Sequence, residues 1–237
     1  AWRGAMAIGI FAVMTLWLAF EGKLGFYIHP RYNIFTIVMA VLGMVLVVVA
    51  LWDRGTEHHH HRQRAPRGVS AEHLSFAFVA VVLGAALVLP PATLSSATAD
   101  NRSSSTRAGE AVAVDSSQIA VGFESLTVRD WASIVVQTDD PAFYRGKTVS
   151  AIGMVRDGGS PDVFLLTRFV VTCCAVDAQP VSIPVYWEDW ERTIAIDDWI
   201  ALEGGFVPFD ESVVAGGLAV VPTAINPEEV PGEPYLF

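Results

Sequence analysis

The residues of this sequence best suited to chemistry are two adjacent cysteines, Cys173 and Cys174, in the stretch Arg168 to Pro180, RFVVTCCAVDAQP. They are the only cysteines in 237 residues, and Asp177 follows close behind. Two thiolates and a carboxylate make a soft, anionic site for zinc or another thiophilic cation, which takes Cys sulfur and carboxylate oxygen. Against that, a structural zinc site takes four protein ligands, paired cysteines are usually about two to four residues apart, and no His follows His73. Neighbours on a strand point to opposite faces, so at most one of the two belongs in an apolar core. A structural pair, a strained vicinal disulfide, a metal site and a redox-active thiol pair all stay open.

A second candidate is the run His58-His59-His60-His61. Consecutive imidazoles bind zinc or nickel, but they cannot close a tetrahedral site without partners elsewhere. A solvated connection is the preferred reading, with local metal capture as the sharper one. Tyr27-Ile28-His29-Pro30-Arg31 reads as an interfacial turn closed by proline, ahead of an ion contact at His29. The acidic residues Asp139, Asp140, Glu188, Asp189, Glu191, Asp197, Asp198, Glu228 and Glu229 either steer cations or keep the surface solvated. Trp187, Trp190 and Trp199 are assigned to core and interface before ligand stacking. No Ser-His-Asp set, phosphate-binding loop, dinucleotide fingerprint or HExxH helix is present, so an enzyme is not expected.

Composition separates the regions that must hold these residues. The chain is 52% hydrophobic with mean hydropathy +0.43, yet its net charge is -10. Residues 1–91 carry seven Lys/Arg against four Asp/Glu, and residues 92–237 carry eight against twenty-one. A single soluble domain is excluded, and a nucleic-acid partner is disfavoured because the larger part repels phosphate. Gly4 to Phe20, Ile34 to Trp52 and Leu74 to Leu94 are free of charge, and each approaches the ~20 residues that cross a bilayer. A signal peptide is the weaker reading of the first, since Glu21-Gly22-Lys23 does not resemble a small-residue cleavage site.

Lys23 and Arg31 lie in the first connection, and Arg54, Arg62, Arg64 and Arg67 in the second. The positive-inside bias then places the N-terminus in the cytoplasm and the C-terminal part outside. No ionisable residue interrupts the spans, so this chain alone is not expected to conduct ions.

These observations divide the chain into a three-span transmembrane domain at 1–94, a Ser/Thr/Ala-rich linker at 95–117 and a folded domain at 118–237. Thr127 as N-cap with Asp130 three residues on predicts a short helix over Ser125 to Gln137. Strands are predicted at Lys147–Arg156, Val163–Cys173, Val181–Tyr186, Trp199–Val207 and Gly217–Ile225. Five short strands, with Gly153, Gly204 and Gly205 at bends, predict a small closed or partly open barrel. The expected fold class is membrane α plus all-β: three transmembrane helices, then an extracytoplasmic OB-like β-barrel with a preceding short helix. A two-sheet sandwich is the competitor.

The order of pieces resembles the YcgQ-like family of bacterial membrane proteins. The likeness rests on FYIHPR between two spans, a third span with Pro-Pro, DWASIVV, YRGKTVSAIGMV, RFVVTCCAVDAQPVSIPV, DDWIALEGG and a closing PYLF. It covers nearly the whole chain, and RFVVTCCAVDAQP is its specific part. The resemblance implies a multi-pass protein of the bacterial plasma membrane, paired with a larger multi-span permease subunit, and a theme of zinc limitation. It carries over Cys173, Cys174, Asp177 and Arg168 as motif positions, and no role for the His run. Function is therefore expected as an accessory permease subunit handling divalent metal. The alternative is an assembly subunit without metal, docking through Trp187 and Trp190.

Overall fold

In the computed structural model, residues 2–52, 93–103, 123–138 and 140–237 are described. Two compact units divide the chain, residues Ala1–Ala92 and Thr93–Phe237.

The first unit is helical where it is described. Mostly aliphatic runs, uncharged after Arg3, form α1 (Trp2–Phe20) and α2 (Asn33–Trp52). The two pack together where glycine leaves room: a Cβ on Gly9 would stand 3.5 Å from Val47, and one on Gly43 would stand 3.7 Å from Ile8. Most other large side chains face outward, including Phe11, Ile34, Phe35 and Leu46. Among the described residues one helix, Pro30–Ala50, is long and apolar enough to cross a membrane, and Gly4–Phe20 is a shorter apolar helix. The expected third span, 74–94, lies almost wholly outside the described residues. Three transmembrane helices are therefore not what the described structure carries.

The second unit is a five-stranded β-barrel with a preceding helical region. Its strands are β1 (Val149–Ser160), β2 (Val163–Val170), β3 (Gln179–Tyr186), β4 (Trp199–Pro208) and β5 (Leu218–Pro227). β1 pairs antiparallel with both β2 and β4, and β2 with β3. β4 pairs with β5, and a short parallel contact at Val185–Val220 joins β3 to β5, so the sheet closes on itself. A separate pair of sheets, as in a sandwich, is absent among the described residues. A sixth strand, β6 (Tyr235–Leu236), adds to β2 in parallel and had no sequence signal beyond a two-residue apolar pair.

Closure of so small a barrel needs sharp bends. At Gly204 the register of β4 against β5 slips, and a Cβ there would land on the carbonyl oxygen of Val221. At Gly153 a Cβ would stand 2.8 Å from Leu166. Both positions require glycine because a neighbouring strand occupies the side-chain space. Gly205 does not, since its nearest neighbour would be at ordinary contact distance, 3.7 Å.

The barrel interior is filled by Val155, Phe164, Leu166, Ile183, Val185, Ile200, Leu202 and Val220, and the Trp190 ring lies tilted against Phe164 with ring centroids 5.6 Å apart. One end packs against α4 (Val128–Gln137), whose Trp131 is fully buried and lies 5.4 Å from Phe206. The start of α4 is a capping box: Asp130 accepts from the Thr127 N–H and Oγ1, and Thr127 accepts from the Asp130 N–H. Reciprocal satisfaction of exposed donors explains why the helix begins there. The short α5 (Pro141–Tyr144) follows, capped by Asp140.

Part of the stretch read as a linker is ordered on the barrel. Residues Ser96–Ser103 form α3, with Ala99 fully buried among Met154, Phe169, Val171, Ala178, Trp199 and Tyr235. The Ser96 N–H donates to Asp197 at 2.7 Å, and Asp100 pairs with Arg156 at 3.4 Å. Small alanines suit this docking because they allow close approach, whereas a composition reading registers them as featureless. Residues 104–117 of that stretch lie outside the described residues.

Candidate metal centre

After Val170 the chain leaves β2 and turns back at residues 172–178 to enter β3. This turn, not a strand, carries both cysteines, because Asp177 collects the backbone N–H groups that would otherwise continue the ladder. Its Oδ1 accepts from the Thr172 N–H at 3.1 Å and its Oδ2 from the Cys173 N–H at 2.7 Å. The Asp177 N–H in turn donates to the Cys174 carbonyl at 3.0 Å. A carboxylate closing a turn through its own backbone neighbours is the standard use of aspartate in loops. The expected extension of β2 to Cys173 is therefore cut short.

The consequence is that both thiols stand on the same turn. Cys173 is exposed, Cys174 is half-buried, and neither is in a disulfide. The sulfurs are 3.5 Å apart, and a ligand atom from each of Cys173, Cys174 and Asp177 lies within 4.8 Å of the others. With Zn–S bonds of about 2.3 Å, that sulfur spacing subtends an angle of about 100° at an ion, close to tetrahedral. Adjacency in sequence, which argued against chelation on a regular strand, is thus offset by the turn. The set offers three candidate ligand groups and no fourth among the described residues, one short of a closed structural site.

The electrostatics of the turn favour the thiol over the thiolate. The hydrogen bond to Asp177, with smaller contributions from Cys174 and from desolvation, pushes the Cys173 thiol up to about 12. Desolvation would raise Asp177, but hydrogen bonds from the Cys173 thiol and from the N–H groups of Cys173, Thr172 and Cys174 outweigh it and hold the carboxyl below its ordinary value. A thiol held protonated beside an ionised carboxylate is a weak nucleophile at neutral pH. A cation entering here has to displace that proton, so its affinity rises with pH.

Arg168 is not part of this cluster. Its guanidinium donates to the carbonyls of Ile152 at 3.3 Å and Glu233 at 2.8 Å, lies over Trp199 at 5.2 Å, and has no bond to Cys173, Cys174 or Asp177. Burial lowers its pKa, opposed by the charge of Glu233. It ties the C-terminal segment to β1. A cavity of about 250 Å³ opens beside Arg168, Thr127 and Ser150, away from the thiols.

His58, His59, His60 and His61 lie outside the described residues, as does Asp139. The Nδ1 of His29 accepts from the Arg31 N–H at 3.1 Å and caps a short 3-10 turn. Asp140, Glu188, Asp189, Glu191, Asp197, Asp198, Glu228 and Glu229 are exposed, and several serve local structure: Asp198 accepts from the Ala195 N–H, and Asp189 pairs with Arg192. Trp190 and Trp199 are buried and Trp187 is half-buried against the core, so all three serve packing and Trp190 offers no exposed ring.

Arg102, in α3, escaped sequence reading. Its Nη1 and Nη2 both donate to the Ala175 carbonyl at 3.2 Å, and Nη1 also donates to the Ala178 carbonyl. Nothing in the sequence links it to a turn more than seventy residues away.

Fold and site together define a class: a small β-barrel protein with a vicinal thiol and carboxylate turn, in a chain that begins with apolar helices. The chain belongs to the DUF1980 family, whose N-terminal domain matches residues 4–105 and whose C-terminal domain matches residues 109–237. No curated protein matches it in sequence.

Proposed function

We propose that this protein is an accessory membrane subunit that captures a thiophilic divalent cation, zinc foremost, at Cys173, Cys174 and Asp177 and passes it on. The observation that carries the reading is the open three-ligand turn, with sulfurs spaced for one tetrahedral ion. An incomplete ligand set leaves positions for water or for a donor from another molecule, which transfer demands and storage does not. The closed strand order β1-β2-β3-β5-β4 supports an OB-like description of the barrel.

Membrane residence is supported by the outward-facing apolar side chains of α1 and α2, whose exposure to water is unfavourable. On this reading residues 74–94 supply a third span, the barrel is extracytoplasmic, and a larger multi-span permease is the partner, as in the YcgQ-like family. Spans without ionisable groups need such a partner to form a path.

Two measurements test the reading on the full chain. Titration with Co²⁺ read through its thiolate charge-transfer absorption, which a histidine tract does not produce, should saturate at one ion per chain, be displaced by Zn²⁺, and disappear in a Cys173→Ser/Cys174→Ser double variant. Gentle purification followed by mass spectrometry should recover a multi-span protein. Equal binding by the double variant sinks the metal site, and recovery of partners without metal leaves an assembly subunit instead.

A further inference from the structure

The turn that carries the thiols is held from two sides. From within, Asp177 binds the N–H groups of Thr172 and Cys173. From outside, the guanidinium of Arg102 grips the carbonyls of Ala175 and Ala178, which flank Val176 and Asp177. Between those carbonyls the Asp177 N–H donates to the Cys174 carbonyl at 3.0 Å, and the Gln179 amide reaches the Asp177 carbonyl at 3.4 Å. Val176 at the tip is 84% exposed, so packing does not hold it.

The position of Arg102 is itself fixed by packing. Ala99, one turn earlier on α3, is fully buried against Val171 and Ala178, the residues bracketing the thiol turn. Asp100 on the same helix binds Arg156 on β1. The guanidinium is thus delivered to the turn by a docked helix, and its planar fork suits two carbonyls at once, which a lysine ammonium matches less well.

We propose that Arg102 is the positioning residue of the thiol turn: by clamping Ala175 and Ala178 it keeps the Cys173 and Cys174 sulfurs on one side at a spacing that a single ion or reagent bridges. The inference deepens the metal reading and rests on it for its biological meaning, although the geometry it asserts is testable without metal. Residues that orient ligands without touching the ion typically change affinity by about ten- to a hundredfold.

The test uses the full chain and two probes. Phenylarsine oxide bridges two adjacent thiols, forming two As–S bonds and releasing one water, and so reports the sulfur spacing alone. Co²⁺ reports the number of thiolates on one ion through its charge-transfer absorption. Arg102→Ala should weaken both probes about tenfold and reduce the absorption toward that of one sulfur, while Arg102→Lys recovers part of the loss. Asp100→Asn removes the α3–β1 ion pair but leaves the guanidinium in place, so it should weaken both probes less than Arg102→Ala does; a loss as large as that of Arg102→Ala would assign the effect to docking of α3 and overturn the clamp. Parent-like bridging in Arg102→Ala overturns the proposal. Parent chain that binds the arsenical but not Co²⁺ overturns the metal reading and leaves the clamp standing. If Arg102→Ala does not fold, Arg102→Lys and Arg102→Gln decide the matter: equal bridging by parent and both variants overturns the clamp, and graded loss supports it.

Discussion

In the barrel interior, Phe164, Leu166, Ile183, Ile200 and Leu202 are sealed from water and held by packing. In the 172–178 turn, just beyond the end of β2, Cys173 and Val176 are exposed and the chain is held by hydrogen bonds accepted by Asp177 and donated by Arg102. The barrel derives order from many weak apolar contacts that tolerate no solvent. The turn derives order from a few directional bonds that leave its sulfurs accessible. The contrast teaches that this protein keeps reactive groups out of its core and fixes them by polar bonding at its edge. Removing a barrel contact should therefore cost stability without touching the thiols, and removing a turn contact should do the reverse.

The largest effect should come from the packed region. Trp131→Ala empties a fully buried site between α4 and Phe206, and a loss of about 3–5 kcal/mol is expected for such a truncation. Denaturant unfolding of the second unit measures it. Thr127→Ala removes one half of the capping box and should cost about 0.5–2 kcal/mol by the same measurement. Neither change should alter the alkylation rate of Cys173 in chain that remains folded.

The turn is best probed by pH. The Cys173 thiol is raised to about 12, above the ~8.5 of an unfolded chain. Its contribution to stability is therefore complete below about pH 8.5 and is lost as pH climbs from there toward about 12. Alkylation by iodoacetamide should accelerate through that window. Asp177→Asn removes the leading cause of the shift and should move the reactivity profile to lower pH. A parent-like profile in this variant would show that the carboxylate does not hold the proton. The smallest effect on stability is expected from Cys173→Ser/Cys174→Ser, whose hydroxyls still offer donors to Asp177: the metal-free melting temperature at neutral pH should change little, while Co²⁺ absorption is abolished. A substantial loss of stability in that variant would make the pair structural and erase the contrast between the two regions.

Much of the barrel was legible in the chain because its signals are local. Alternating β-branched runs, Gly153 and Gly204 at bends, and Thr127 with Asp130 at a helix start act over a few residues, and each is used as the pattern predicts. The docking of α3 was not legible: a Ser/Ala run resembles a tether until Ala99 meets a partner surface. Residues such as Trp190 carried an ambiguous signal, since an aromatic looks the same in sequence whether it fills a core or faces a partner.

The site divides along the same line. Sequence alone determined that two thiols and a carboxylate lie close together in an acidic, His-free region, because covalent adjacency guarantees it. Only tertiary structure decided that the strand ends at Val170, that Asp177 closes the turn, that the sulfurs stand 3.5 Å apart on one side, and that Arg102 grips the turn from α3. The physical reason is that side-chain direction depends on which distant groups take up the backbone donors and acceptors, and such long-range hydrogen bonding leaves no periodic trace in the chain.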